Sequence, residues 1–215
     1  MKVGTHTQDN QRCRPHRSDR WLPGLASGIF WLVALAAQAG DAPVNPSTLA
    51  FAPGGVVTMK INQGEVEVVG TAAAQISVSW QGRSRDDERN AKVRLQRISD
   101  KEATLLIDNW DDHLRFRIEV PRESDVAIHM RAGELKIGGI VGSMDADLIA
   151  GEMNVRVPDP SRYRAVSASV TAGQLTATPW RTDASGLWRS FRTTGKGDLE
   201  LRARLIAGEL TIGAE

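Results

Sequence analysis

From about residue 55 onward, apolar and polar residues alternate with period two along most of the chain. GEVEVVG sets Val66 and Val68 on one face. ISVSW does the same with Ile76, Val78 and Trp80, HLRFRIEV with Leu114, Phe116, Ile118 and Val120, and DVAIHM with Val126, Ile128 and Met130. The interleaved Arg115, Arg117 and Glu119 then face water, as expected of half-buried strands. Helical periodicity is hard to find in this region. The pattern predicts an all-β protein.

A second regularity overlies the first. RAGELKIGG at 131–139 is echoed by IAGEMNVRV, TAGQLTATP and IAGELTIGA. The steps Gly133→Gly151→Gly173→Gly197 are 18, 22 and 24 residues, and repeats near 20 residues predict a stack of β-coils. Glycine suits the corner of such a coil because it adopts positive φ without steric cost. After each corner Leu135 and Ile137, Met153 and Val155, Leu175 and Ala177, and Leu210 and Ile212 should point inward. Leu135, Met153 and Leu175 would form one ladder at strand spacing. The expected architecture is a single-stranded β-solenoid, similar to a parallel β-helix, with a more irregular antiparallel N-terminal part. Glu134, Glu152, Gln174 and Glu209 would then stack outward, where like charges repel. Gln174, Lys136 and Arg156 are placed to relieve that row; binding of a cation is the alternative. The calcium-binding nonapeptide pattern does not fit, since the spacing from Gly138 to Asp145 is wrong for it. The last copy, AGELTIGAE, reads as a terminal rung whose open edge is either self-protected or paired, including with another copy.

The run FRIEVPRESDVAIHMRAGELKIGGIVGSMDADLIAGEMNVRV, with NQGEVEVVG before it and GKGDLELRARLIAGELTIG at the end, resembles the bacterial putative-adhesin family of domains of unknown function. The shared features are a strand ending in Pro, a short polar link and repeated Gly-x-Leu-x-Leu units, over roughly residues 60–215. The resemblance implies a β-solenoid of the kind seen in autotransporter adhesin heads, usually exported and without established catalysis.

The N-terminus sets this body in a compartment. Lys2, Arg12, Arg14, Arg17 and Arg20 precede the uncharged stretch WLPGLASGIFWLVALAAQAG, and Ala37-Gln38-Ala39 offers a cleavage site. This is the form of a secretory signal peptide, residues 1–39. The same stretch approaches spanning length, so an uncleaved membrane anchor is the alternative. Residues 40–54 form a Pro/Gly/Ser linker, and 55–215 the β domain. The expected location is therefore periplasmic or extracellular.

Charge and cysteine content narrow the partners. The full chain of 215 residues carries a net +1; without residues 1–39 it keeps 22 basic and 24 acidic residues, a charge of −2. Neither value suggests nucleic acid. The lone Cys13 lies in the leader, so the remainder has no thiol or disulfide, and with His113 and His129 as its only histidines a catalytic zinc site is not expected. No nucleophile elbow, P-loop or dinucleotide fingerprint occurs, and no cofactor or metal is expected.

Three segments carry polar or aromatic clusters. QGRSRDDERNAK at 81–92 reads as a solvated hairpin loop. DNWDDH gathers Asp108, Trp110, Asp111, Asp112 and His113: either a polar turn with Trp110 packed over the end of the stack, or paired carboxylates beside a sugar-stacking ring. TPWRTDASGLWRSFR reads as a long loop interrupting the repeat, with Trp180, Arg181, Trp188 and Arg189 as a candidate binding surface. It either covers the side of the stack or meets a glycan or protein. The sequence thus predicts an exported, non-catalytic binding or scaffolding protein of the cell envelope. A polysaccharide-active enzyme using the Asp108–His113 cluster, and a membrane-tethered envelope subunit, are the alternatives.

Overall fold

Five strands of 14–16 residues carry the fold, and each bends in its middle at a glycine. The computed structural model describes residues 45–110 and 113–215. The leader, residues 40–44 of the linker, Asp111 and Asp112 lie outside the described residues. In order come β1 (Ser47–Ala50), β2 (Val56–Thr71), β3 (Gln75–Gln81), helix α1 (Arg85–Arg89), β4 (Val93–Ser99), β5 (Glu102–Ile107), β6 (Arg115–Pro121), β7 (Asp125–Gly138), β8 (Met144–Val157), β9 (Tyr163–Ala177), β10 (Thr182–Thr194) and β11 (Leu199–Ala214).

The bends fall at Gly64, Gly133, Gly151, Gly208 and Gly173 of β2, β7, β8, β11 and β9. These glycines have φ between 120° and 142° and stand beside one another in a parallel, in-register stack. Each bend also switches which residues face inward. In β7, Val126, Ile128 and Met130 are buried before the bend, and Leu135 and Ile137 after it. The spacing from Met130 to Leu135 is odd, so without the bend one arm would turn its apolar side to water. With it, both arms face a single shared core. All eight inward positions expected from the repeat are buried.

The described strands form one open, mixed sheet in the order β1-β3-β6-β2-β7-β8-β11-β9-β10. The first arm of β2 also pairs with β5, the second with β6. Antiparallel pairs β1–β3, β3–β6 and β4–β5 make up much of the N-terminal part, as expected. The order of the last strands departs from the sequential winding of a solenoid, because β11 is threaded between β8 and β9. The ladder is therefore Val66, Leu135, Met153, Leu210, Leu175. Gly197 is no corner but lies in the link into β11, and Gly208 takes that role. Electrostatics favour this order. Asp145 and Asp147 of β8 stand opposite Arg202 and Arg204 of β11, whereas β9 offers only Ser167 and Ser169 across from the same arginines.

Two further expectations are corrected. The C-terminal strand has no open edge, since it is paired on both sides. Residues 81–92 are not a plain hairpin loop. Ser84 caps α1, its hydroxyl accepting from Asp87 N (3.2 Å) while the Asp87 carboxylate accepts from Ser84 N (2.8 Å).

Candidate functional site

The repeat places one residue of each rung on the outer corner. Ile149 and Ile206 immediately precede Ala150-Gly151 and Ala207-Gly208; they lie outside the register of the ladder and point away from the bend, half or more exposed. Arg131 and Thr171 occupy the same position on β7 and β9. On β10, Leu187 stands opposite Ala172, and the next residue, Trp188, takes a positive φ of 56°. Arg189 Nε holds this corner by donating to the Ser185 carbonyl (2.6 Å). At the far end Trp110, on the link after β5, stacks against the Arg131 guanidinium, 5.4 Å from carbon to ring centroid.

A ridge results, running Trp110, Arg131, Ile149, Ile206, Thr171, Leu187 and Trp188. From β7 to β10 it crosses four strand spacings, about 19 Å. Seven large apolar side chains are exposed among the described residues, and five of them lie on it, between 50% and 77% exposed. Scattered exposed apolar residues are ordinary, but their alignment along one edge is not.

The flanking outer faces have the opposite character. Asp147 meets both His129 Nδ1 (3.1 Å) and the Arg204 guanidinium, while Arg117 meets Glu67 and Glu119, with Nε 3.1 Å from Glu119. These carboxylates raise the pKa of Arg204 and Arg117, chiefly by accepting hydrogen bonds from them at Asp147 and Glu119. The glutamate row is longer than the repeat suggested: Glu65, Glu134, Glu152, Glu209 and then Gln174. Lys136 relieves one end, 2.6 Å from Glu134 and 3.8 Å from Glu65, and its own pKa is raised by the Glu134 bond. Among the described residues Arg156 makes no ion pair, and neither do Glu152 and Glu209.

No family model and no curated protein matches the chain. Solved structures similar to it include a putative cell adhesion protein from Clostridium sporogenes ATCC 15579. It is 11% identical, with a TM-score of 0.45, over 80% of this chain and 100% of that one. A putative adhesin from Bacteroides fragilis NCTC 9343 is 10% identical, with a TM-score of 0.29, over 79% of this chain and 96% of that one.

The segment read as a binding loop is not a loop. Residues 178–180 form a 3-10 turn closed by Arg181 at a φ of 54°, and β10 follows as an edge strand. The bend separates the four candidates. Trp180 is half-buried and packs against Phe191, with centroids 5.9 Å apart, and Arg181 shapes the turn beside it. Trp188 and Arg189 sit at the corner. Trp110 is not packed over the stack; it is 65% exposed on the ridge.

The acidic cluster divides as well. Asp108 accepts from Asn62 Nδ2 (2.5 Å), Asn109 accepts from Lys92 N (2.6 Å), and His113 lies half-buried on the link into β6. An open cavity of about 580 Å³ beside Trp110 is lined by Gln63, Asp87, Lys92 and Asp108. The two carboxylates among its described lining residues already serve structure, Asp87 capping α1 and Asp108 tied to Asn62. Arg131, Ile149 and Ile206 were not among the expected site residues. Their signal was an isoleucine at an outward position, twice, just before Ala-Gly.

Proposed function

We propose that the protein is an exported, non-catalytic binding module of the cell envelope, and that it meets a protein partner along the corner ridge. One observation carries this reading: Trp110, Ile149, Ile206, Leu187 and Trp188 align on one edge, between faces whose charges are largely paired with each other. Exposed apolar surface of this extent on an otherwise polar shell marks an interaction site. Aromatic anchors at both ends are the residue type that dominates protein interfaces. Export is supported by the basic-then-apolar N-terminal segment and Ala37-Gln38-Ala39. The scaffold is read as a solenoid-like stack whose last rung is threaded back between earlier ones.

The test is a photoreactive side chain at position 206 in intact cells, compared with one at position 117 on an ion-paired face. The expected result is one envelope protein crosslinked from 206 alone, which also binds the purified chain and is lost in Ile149→Ser/Ile206→Ser. Equal crosslinking from both positions, or fractionation of the native protein with the cytoplasm, overturns the proposal.

A further inference from the structure

β10 is the last strand of the sheet, bonded to β9 on one side and to no described strand on the other. Sheet edges are usually blunted against pairing. Two edge strands here follow that rule: β1 has four residues, and β4 carries Arg94 and Arg97 and an irregular register before Ser99. β10 has thirteen residues. Its Thr182, Ala184, Phe191 and Thr193 cover the end of the core and remain only half-buried.

We propose that β10 pairs antiparallel with β10 of a second copy of this chain, about a two-fold axis through the bend, so that Asp183 of each copy faces Arg192 of the other.

The β9–β10 pair already shows how bent strands stack in opposite directions. Gly186 lies opposite Gly173, and the arms pair on either side in one unbroken register. A second copy of β10 can stack on the first in the same opposed sense, bend beside bend.

Sidedness then selects the register. Thr182, Ala184, Phe191 and Thr193 face inward, opposite buried residues of β9; Asp183, Ser185, Ser190 and Arg192 face outward and are exposed. An axis between Leu187 and Trp188 sets Thr182 opposite Thr193 and Ala184 opposite Phe191 on the core side. On the outer side it sets Asp183 opposite Arg192 and Ser185 opposite Ser190. A slip of one residue would put inward side chains against outward ones, and a slip of two would break both ion pairs.

The same axis explains the most exposed corner. Leu187 and Trp188, 65% and 77% exposed in the single chain, come to lie opposite one another across the copies. Because the axis runs through the corner, it also joins two ridges end to end. The pairing is isologous and closes on itself, so it ends at a dimer.

Sedimentation of the purified full chain across a concentration series is expected to show a reversible dimer. Asp183→Arg alone sets arginine against Arg192 twice per dimer, and Arg192→Asp alone sets aspartate against Asp183. Each should weaken association by roughly tenfold or more. The double reversal should restore it. Both side chains are exposed, so thermal unfolding of the variants should match the parent and exclude misfolding. In a Cys13→Ser background, oxidising an equal mixture of Ser185→Cys and Ser190→Cys chains should yield a mixed covalent dimer. A chain still monomeric at ~100 μM overturns the proposal. So does a dimer indifferent to the single reversals, or a folded double reversal that stays monomeric.

Discussion

A methyl group added to Gly151 would run into the carbonyl oxygen of Gly133 on the neighbouring strand, at a φ of 130° that side-chain-bearing residues rarely adopt. Neither problem can be relaxed alone, because the bend on each side is locked to the next. Gly151→Ala should therefore cost at least ~3 kcal/mol in denaturant unfolding. Glu152, in the middle of the carboxylate row and without an ion pair among the described residues, should behave in the opposite way. Glu152→Gln is expected to raise stability by ~0.2–1 kcal/mol, an effect that added salt shrinks. Tyr163 gives a pH-dependent test. Its hydroxyl is buried with no hydrogen-bond partner among the described residues, and desolvation pushes its pKa up to about 12. An unfolded tyrosine ionises near pH 10. Between pH 10 and 12 the unfolded chain loses a proton that the folded chain keeps, so stability falls as pH rises through that window. Tyr163→Phe should remove that part of the fall and add ~1 kcal/mol at neutral pH. Denaturant midpoints of both proteins at pH 8 and pH 11 measure it.

Among the elements, alternation told which residues face inward because it is local: Leu135, Ile137, Met153 and Val155 need only their own strand and its glycine. Which strand lies beside which is not local. The insertion of β11 rests on pairs 57 residues apart, Arg202 with Asp145 and Arg204 with Asp147, and no periodicity along the chain exposes them. β10 is not legible in the sequence for another reason. An edge strand covering the end of a core needs few large apolar residues, so TDASGLWRSFRTT reads as a loop even though it pairs along nearly its whole length. The corner ridge is not legible because its members come from six separate segments, and only the stack assembles them. If charge helps to place β11, then Asp147→Arg, set against Arg204, should destabilise by ~1 kcal/mol. Arg204→Asp in the same chain should recover most of that loss. These carboxylates and arginines are substantially exposed, so larger effects would point to misthreading instead. Thermal unfolding of the two single variants and the double variant completes the cycle.

At the scale of the whole molecule, threading β11 into the interior ties it to two strands from the middle of the sequence, β8 and β9. β11 buries Leu201, Ala203, Leu205, Leu210 and Ile212, and among the described strands it alone pairs with both β8 and β9. A sequentially wound solenoid would fray from its last rung and keep the others, since each rung needs only its neighbours. Here, loss of β11 would open two long strand edges and divide the core. Truncation after Asp198 should therefore abolish cooperative unfolding instead of lowering it by one rung. In the intact chain, amides of β11 should belong to the slowest-exchanging class together with those of β7 and β8, while those of the edge strands β1 and β4 exchange earlier. Hydrogen exchange followed by mass spectrometry distinguishes the cases. Fast exchange confined to β11 would mean that the stack behaves as independent rungs despite its order.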